Sequence, residues 1–530
     1  YRKLKYTGNL FRVVLDKLGV APQEVLHIGD TWQNDVVVPR SLGMHAAFLP
    51  KAVDVFTGNV HDIFNGNCTS FLNENLSDEF DTRTFAGQLC VRTMYAAIAH
   101  ELFDNPFVPF QAQSRFNGDP WVMGYFALGP YLFGVAKWIL DISAERGYEM
   151  IAFLARDGFL VQKIFEEMCR ATGAEIASQY VYATRKCVLP YVMDRPEKFY
   201  TSDNFVNVFS PDQTFKKFLQ LFADVCVPLT PQLEKEYASH GIFLDERIGD
   251  ENRFRNFIGM FLKISFDAAK AGQAREAVSE YYRQIFAGRC AAFDAGYSGR
   301  IQKALSDLCS HPVDALFLHD NGESTGRMAR AGGFRVSCFY PYSPVVTDIL
   351  RETFLSDTSP SCIGFERTKE GVRPLFGEER EDAPRNFALH MMQRGALRFA
   401  HDLIQTFSPS LKMFDLRNVE SGYLFEYFCK TATEFDRYVF IDHTIEDGVY
   451  SGFDGLSLVY RWQENLQAIG AGKSGTQESV PPVLPARQKT VEEALRGCSR
   501  WKRALYYWLF DRKTFHEKMK KRRAEKRSRT

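Results

Sequence analysis

The sequence predicts an α/β protein built on parallel sheets, in two separate α/β series followed by a helical C-terminal region. Short apolar runs of strand length alternate with segments of helical spacing, the pattern of strand–helix–strand crossovers. Several of these runs end in an acid close to a glycine, the turn chemistry of a parallel strand passing into a helix. With 530 residues, 45% hydrophobic, 25% charged and 14% aromatic, the chain can bury ample core and divides into about two to four domains.

The first series occupies residues 1–62: helix Leu10 to Leu18, strand Glu24 to Ile28, helix Asn34 to Leu42 and strand His45 to Leu49. Residues 63–120 read as a connector holding one helix, around Gln88 to Leu102. The longest apolar stretch, Met123 to Leu140, is interrupted by Gly129-Pro130 and Lys137. That interruption predicts a buried helical hairpin or an interfacial segment, not a spanning helix.

The second series is a Rossmann-like α/β domain over residues 121–400. Its strands are Glu149 to Ala155, Gln179 to Ala183, Cys290 to Phe293, Ala315 to Leu318 and Arg335 to Phe339, with helices Phe159 to Arg170 and Arg300 to Cys309 between them. A helical insertion covers residues 212–286. Helices continue through 401–470, residues 471–489 have the Gly-then-Pro composition of a linker, and 490–530 form a basic amphipathic helix.

Eleven cysteines lie between Cys68 and Cys498 with no CxxC pair and no Cys/His cluster, so neither a zinc site nor a disulfide framework is expected. A cytoplasmic setting fits, with peripheral contact at the inner membrane face through the tail. The chain opens at Tyr1 within a helical pattern and without an initiator Met, which reads as a fragment. Formal charge is zero overall, but residues from Arg500 onward carry thirteen Lys/Arg against three acids, so the tail is +10 and the remainder −10. Trp501, Leu505, Trp508, Phe515 and Met519 fall near one face of that tail, which suits an anionic membrane surface. Nucleic acid competes only at Lys520-Lys-Arg-Arg523, and a helix docked on its own domain is the plain alternative.

Two constellations carry chemistry. In Val25-Leu-His-Ile-Gly29-Asp30-(x4)-Asp35 one carboxylate stands at a strand tip and a second at the start of the next helix, so both can reach one hard cation. Lys5 lies where an ammonium could neutralise a phosphate. The blander reading makes Asp30 a cap and Asp35 a solvated first-turn acid. Lys5, the Gly29-Asp30-(x4)-Asp35 run and Arg40-Ser-Leu-Gly-Met44 resemble the third and fourth motifs of the haloacid dehalogenase (HAD) superfamily. The resemblance implies that Lys5 stabilises a phosphoaspartyl intermediate and that Asp30 and Asp35 bind Mg²⁺. It also implies a nucleophile in an Asp-x-Asp motif upstream. Asp294-Ala-Gly, Asp320-Asn-Gly and Asp442-His-Thr do not replace that motif, so this HAD-like half is expected to be inactive as it stands.

In the central domain, Arg156-Asp157-Gly158, Asp294-Ala-Gly296-Tyr-Ser298-Gly299 and His319-Asp320-Asn-Gly322 end three strands and are expected to share one pocket. Gly296, Ser298, Gly299 and the helix starting at Arg300, with Gln302, have the ingredients of an anion cradle. Arg156, Arg185 and Lys186 would add positive charge, and Asp157 or Asp294 would act as base or metal ligand. In the alternative reading the glycines only turn the chain and the acids only cap helices. Ser298 lacks the spacing of a nucleophile elbow. The order Phe-Leu-Ala-Arg156-Asp-Gly, Tyr-Ala-Thr-Arg185-Lys, Phe-Asp294-Ala-Gly-Tyr-Ser-Gly-Arg-Ile-Gln302 resembles large predicted hydrolases of the same superfamily, over about residues 1–400. Those proteins occur with bacterial surface-polysaccharide synthesis and glycosyltransferases. The resemblance implies a phosphatase-type activity on sugar phosphates or nucleotide sugars. A sugar transferase using the central domain and a non-catalytic scaffold at the membrane are the alternatives.

Overall fold

The structure, a computed structural model, describes residues 4–59, 85–105, 114–201, 208–211, 213–340, 348–369, 371–377, 383–414, 418–446 and 454–470. The chain divides into two units, one of residues 1–59 and 90–480 and one of residues 60–89 and 481–530. Of the second unit only residues 85–89 are described, so the expected linker and basic helix lie outside the described residues.

Near the N-terminus, β1 (Leu26–Gly29) and β2 (His45–Phe48) pair in parallel, Leu26 opposite His45 and Gly29 opposite Phe48. The amphipathic helix Asn9–Leu18 covers them through Phe11 and Leu15, which bury with Met44. Where one helix was expected over Asn34 to Leu42, a π-helical turn, Trp32–Val37, runs into the short helix Val38–Ser41. Its wider turn carries Asp35 inward, where the residue is buried.

The apolar stretch after Asp119 is neither a hairpin nor an interfacial segment. It is one helical run, Pro120–Met123, a π turn Gly124–Leu128 and Gly129–Arg146, with Met123 to Ala136 wholly buried. Pro130 does not break it, because the π turn restarts the hydrogen-bond register and puts the proline in the first turn of the following helix, where its missing N–H is not needed. Helices Ala383–Phe407 and Asn418–Thr431 pack on this run. The helix Phe85–Phe103 occupies the position expected in the connector. Among the described residues no helix is long and apolar enough to cross a membrane.

The central sheet is parallel and five-stranded. Its members are β3 (Met150–Leu154), β4 (Ala177–Val181), β5 (Cys290–Asp294), β6 (Asp314–Phe317) and β7 (Val336–Cys338), in the order β4-β3-β5-β6-β7. The fold is therefore the expected Rossmann-like α/β type. Right-handed crossovers place the helices Gly158–Thr172 and Arg300–Cys309 on opposite faces, because β3 steps to β4 one way and β5 to β6 the other. Side chains alternate to match. Phe153, opposite Phe293 in the register, meets Phe165 of the first helix at 5.3 Å between ring centroids. Ala152, Leu154 and Ala292 turn to the other face, into a core shared with the insertion. The insertion is helical as expected, with Phe215–Leu221, Pro231–Ser239, Glu251–Ile264 and Ala268–Ile285. Two antiparallel pairs were not anticipated: β8 (Cys362–Thr368) with β9 (Gly371–Phe376), and β10 (Thr444–Glu446) with β11 (Asp454–Ser457).

Candidate functional site

The chain reverses its direction of travel across the sheet between β3 and β5, the position at which open parallel sheets place a ligand crevice outside the strands' carboxyl ends. Asp157 and Asp294 stand there. Asp157 sits just ahead of the helix Gly158–Thr172 without capping it, and its Oδ1 accepts a hydrogen bond of 2.6 Å from Ser356 Oγ. Burial pushes its carboxyl up to about 6; the Ser356 bond opposes this, the charge of Asp294 reinforces it and Arg156 opposes it. Burial also raises Asp294, against the Gly296 N–H (3.0 Å), the Gln302 amide (3.4 Å) and the field of Arg185.

The glycines have structural tasks. A Cβ on Gly158 would stand 2.8 Å from the Phe153 carbonyl carbon, so the residue lets its helix close onto β3. Gly299 has φ +73° and abuts Met328, starting the helix Arg300–Cys309. The Gly296 amide is committed to Asp294 and is not offered to an anion. Ser298 is half-buried beside it, and Gln302 is fully buried. Arg185 and Lys186 were expected at a strand end. Instead β4 closes at Val181 and these residues open the helix Arg185–Val192, capped by Thr184 Oγ1 accepting from the Cys187 amide at 3.3 Å. The Lys186 side chain lies outside the described residues.

Asp320 does not join the pair. It is exposed and accepts from the Gly322 amide at 3.1 Å, closing a turn. The buried group at the end of β6 is instead His319, stacked on Tyr297 with ring centroids 4.8 Å apart. Burial, with the positive Arg351 nearby, holds its imidazole down at about 4, so it is neutral at physiological pH. Arg351 is itself buried, pairs with Glu426 and lies over the Tyr340 ring. The hydroxyl of Tyr180, on β4, is buried with no hydrogen-bond partner among the described residues. None of Ser356, His319 or Tyr180 follows from a local motif, and only the adjacency of His319 to a strand end was legible.

In the first constellation Lys5 Nζ reaches Asp35 Oδ1 at 2.6 Å, His27 Nε2 reaches the same oxygen at 2.9 Å, and the Thr31 amide donates to Oδ2 at 2.9 Å. These partners, His27 foremost, hold Asp35 well below the usual carboxylate range. A solvated first-turn acid is thereby excluded, since Asp35 is 2% exposed. Asp30 pairs with Lys51 at 2.7 Å, with both side chains reaching solvent. For Mg²⁺, Asp30 could exchange its surface partner, whereas Asp35 already has donors on both oxygens and is satisfied without a cation. Among the described residues no three His, Cys, Asp or Glu side chains gather as a metal-binding group. The sequence matches no protein-family model and no curated protein.

Proposed function

We propose that the central α/β domain takes a phosphorylated sugar or a nucleotide-linked sugar into the crevice outside β3 and β5 and transfers a group from it, with Asp157 as general base. The observation that carries this reading is the meeting of two part-buried carboxylates, Asp157 and Asp294, where the chain reverses across the sheet. The substrate class rests on the resemblance to proteins of surface-polysaccharide synthesis. A carboxyl held at about 6 is mostly ionised at neutral pH yet basic enough to take a proton from an acceptor hydroxyl as the new bond forms. The helices Gly158–Thr172 and Arg300–Cys309 start without side-chain caps, and Arg156 and Arg185 lend positive charge, which suits a phosphate or diphosphate.

Calorimetric titration of the full chain with nucleoside-diphosphate sugars and hexose phosphates tests this. Binding tighter than about 1 mM is expected, weakened about tenfold by Arg185→Ala. Asp157→Asn keeps that binding and lowers turnover about 100-fold. Absence of sub-millimolar binding to every member of both classes would overturn the proposal. Release of inorganic phosphate that survives in Asp157→Asn and is lost in Lys5→Ala would favour the phosphohydrolase reading, which the contact between Lys5 and Asp35 supports.

A further inference from the structure

The loop after β3 is fastened to a segment nearly two hundred positions later. The Asp357 amide donates to the Arg156 carbonyl at 3.0 Å, and beside it Ser356 Oγ donates to Asp157 Oδ1 at 2.6 Å. Ser356 ends the helix Asp348–Leu355, its amide bonded to the Glu352 carbonyl at 3.0 Å, and that helix is anchored by the fully buried Leu350, Phe354 and Leu355. From the other side Gln393, buried on the helix Ala383–Phe407, donates to the carbonyls of Phe354 (3.2 Å) and Ser356 (2.9 Å). The serine hydroxyl is thus placed by backbone bonds on both flanks. A hydroxyl donor on one carboxylate oxygen favours the anion and commits that oxygen, leaving Oδ2 as the atom that exchanges a proton.

We infer that Ser356, held by Gln393, is the positioning residue of Asp157: it fixes the carboxylate's orientation and favours its ionised form. The catalytic consequence rests on the reading of Asp157 as base; the orientation itself does not. Among the described residues, the other titratable and charged groups facing Asp157 are Asp294 from β5, Arg156 on its own loop and Tyr180 from β4, with Asp357 beside Tyr180.

An isotope-edited carboxyl NMR titration of the full chain, with the Asp157 signal assigned by Asp157→Asn, reads the effect directly. Ser356→Ala is expected to raise the Asp157 midpoint by about one pH unit. Ser356→Thr should restore it, and Ser356→Cys, of similar size but a weaker donor, should fall between. Ser359→Ala, an exposed neighbour, should leave it unchanged. Where turnover is measurable, the acid limb of the pH profile should move up with the NMR midpoint. An unchanged midpoint in folded Ser356→Ala or Ser356→Cys, or an equal shift in Ser359→Ala, overturns the inference. A shifted midpoint in a protein that binds no sugar ligand sinks only the catalytic reading.

Discussion

Two titrating side chains that follow strands β3 and β6 of the central sheet act on stability in opposite senses. Asp157 is raised in the fold to about 6 from an ordinary 3.8, so its contribution is fully present below about 3.8 and is lost as pH rises through about 6. His319 is lowered to about 4 from 6.5, so its contribution is present above about 6.5 and is lost as pH falls toward about 4. Between these limits the native state holds the carboxyl proton that the unfolded chain has released, and the unfolded chain holds the imidazole proton that the native state excludes. The two slopes oppose and partly cancel across that window, with the raised Asp294 adding to the slope of Asp157. Asp157→Asn should then give a stability that climbs with pH, and His319→Gln one that declines, each by up to about 1.4 kcal/mol per pH unit. Urea titrations at several pH values check this, and parallel profiles for wild type and both variants would contradict it. The strand-end acids were readable from the sequence because each stands beside a glycine after an apolar run. Ser356 and Gln393 were not, because they reach Asp157 from remote helices and local spacing encodes no such contact.

The helical run from Pro120 owes its place to glycines on both sides of a backbone-to-backbone contact. A Cβ on Gly124 would fall 1.8 Å from the Met392 carbonyl oxygen, and one on Gly395 would fall 2.1 Å from that of Trp121. Gly124→Ala and Gly395→Ala should each destabilise by about 3 kcal/mol, because neither neighbour is a side chain that can swing away. Gly272, exposed within Ala268–Ile285, has nothing within 4 Å of its virtual Cβ, and Gly272→Ala should add about 0.5–1 kcal/mol. Thermal melts of the three variants separate close packing from helix propensity. The same stretch explains a misreading of sequence: Gly-Pro signals a break only when the hydrogen-bond register is that of an unbroken α-helix. β8 and β9 escaped notice because Gly364 and Pro374 interrupt their apolar alternation and their partners are each other, outside the main sheet. The strands of the central sheet were legible within about two residues: burial on both faces writes β3, β5 and β6 as near-continuous apolar runs, whereas the edge strands β4 and β7 are partly exposed and carry polar residues.

Charge is segregated along the chain, ten positive units from Arg500 onward against ten negative before it. We propose that the tail meets an anionic membrane surface, and deletion of residues 490–530 should abolish co-sedimentation with phosphatidylserine vesicles at low salt. Equal sedimentation of the deletion variant would remove that reading. The sheet carries another consequence through the place of its insertion. β3 pairs with β4 across a short crossover, but its other partner, β5, is translated only after the whole helical insertion. During synthesis β3 therefore waits with one edge bare while the insertion emerges, and the contact that completes its pairing is highly non-local. The insertion can gather its own phenylalanine core meanwhile, Phe218 stacking on Phe222 and meeting Phe254, Phe257 and Phe261 edge to face. Folding order is thereby written into the topology: Asp157 cannot meet Asp294 until the insertion has been made, and a nascent chain stalled before β5 carries β3 with an unpaired edge.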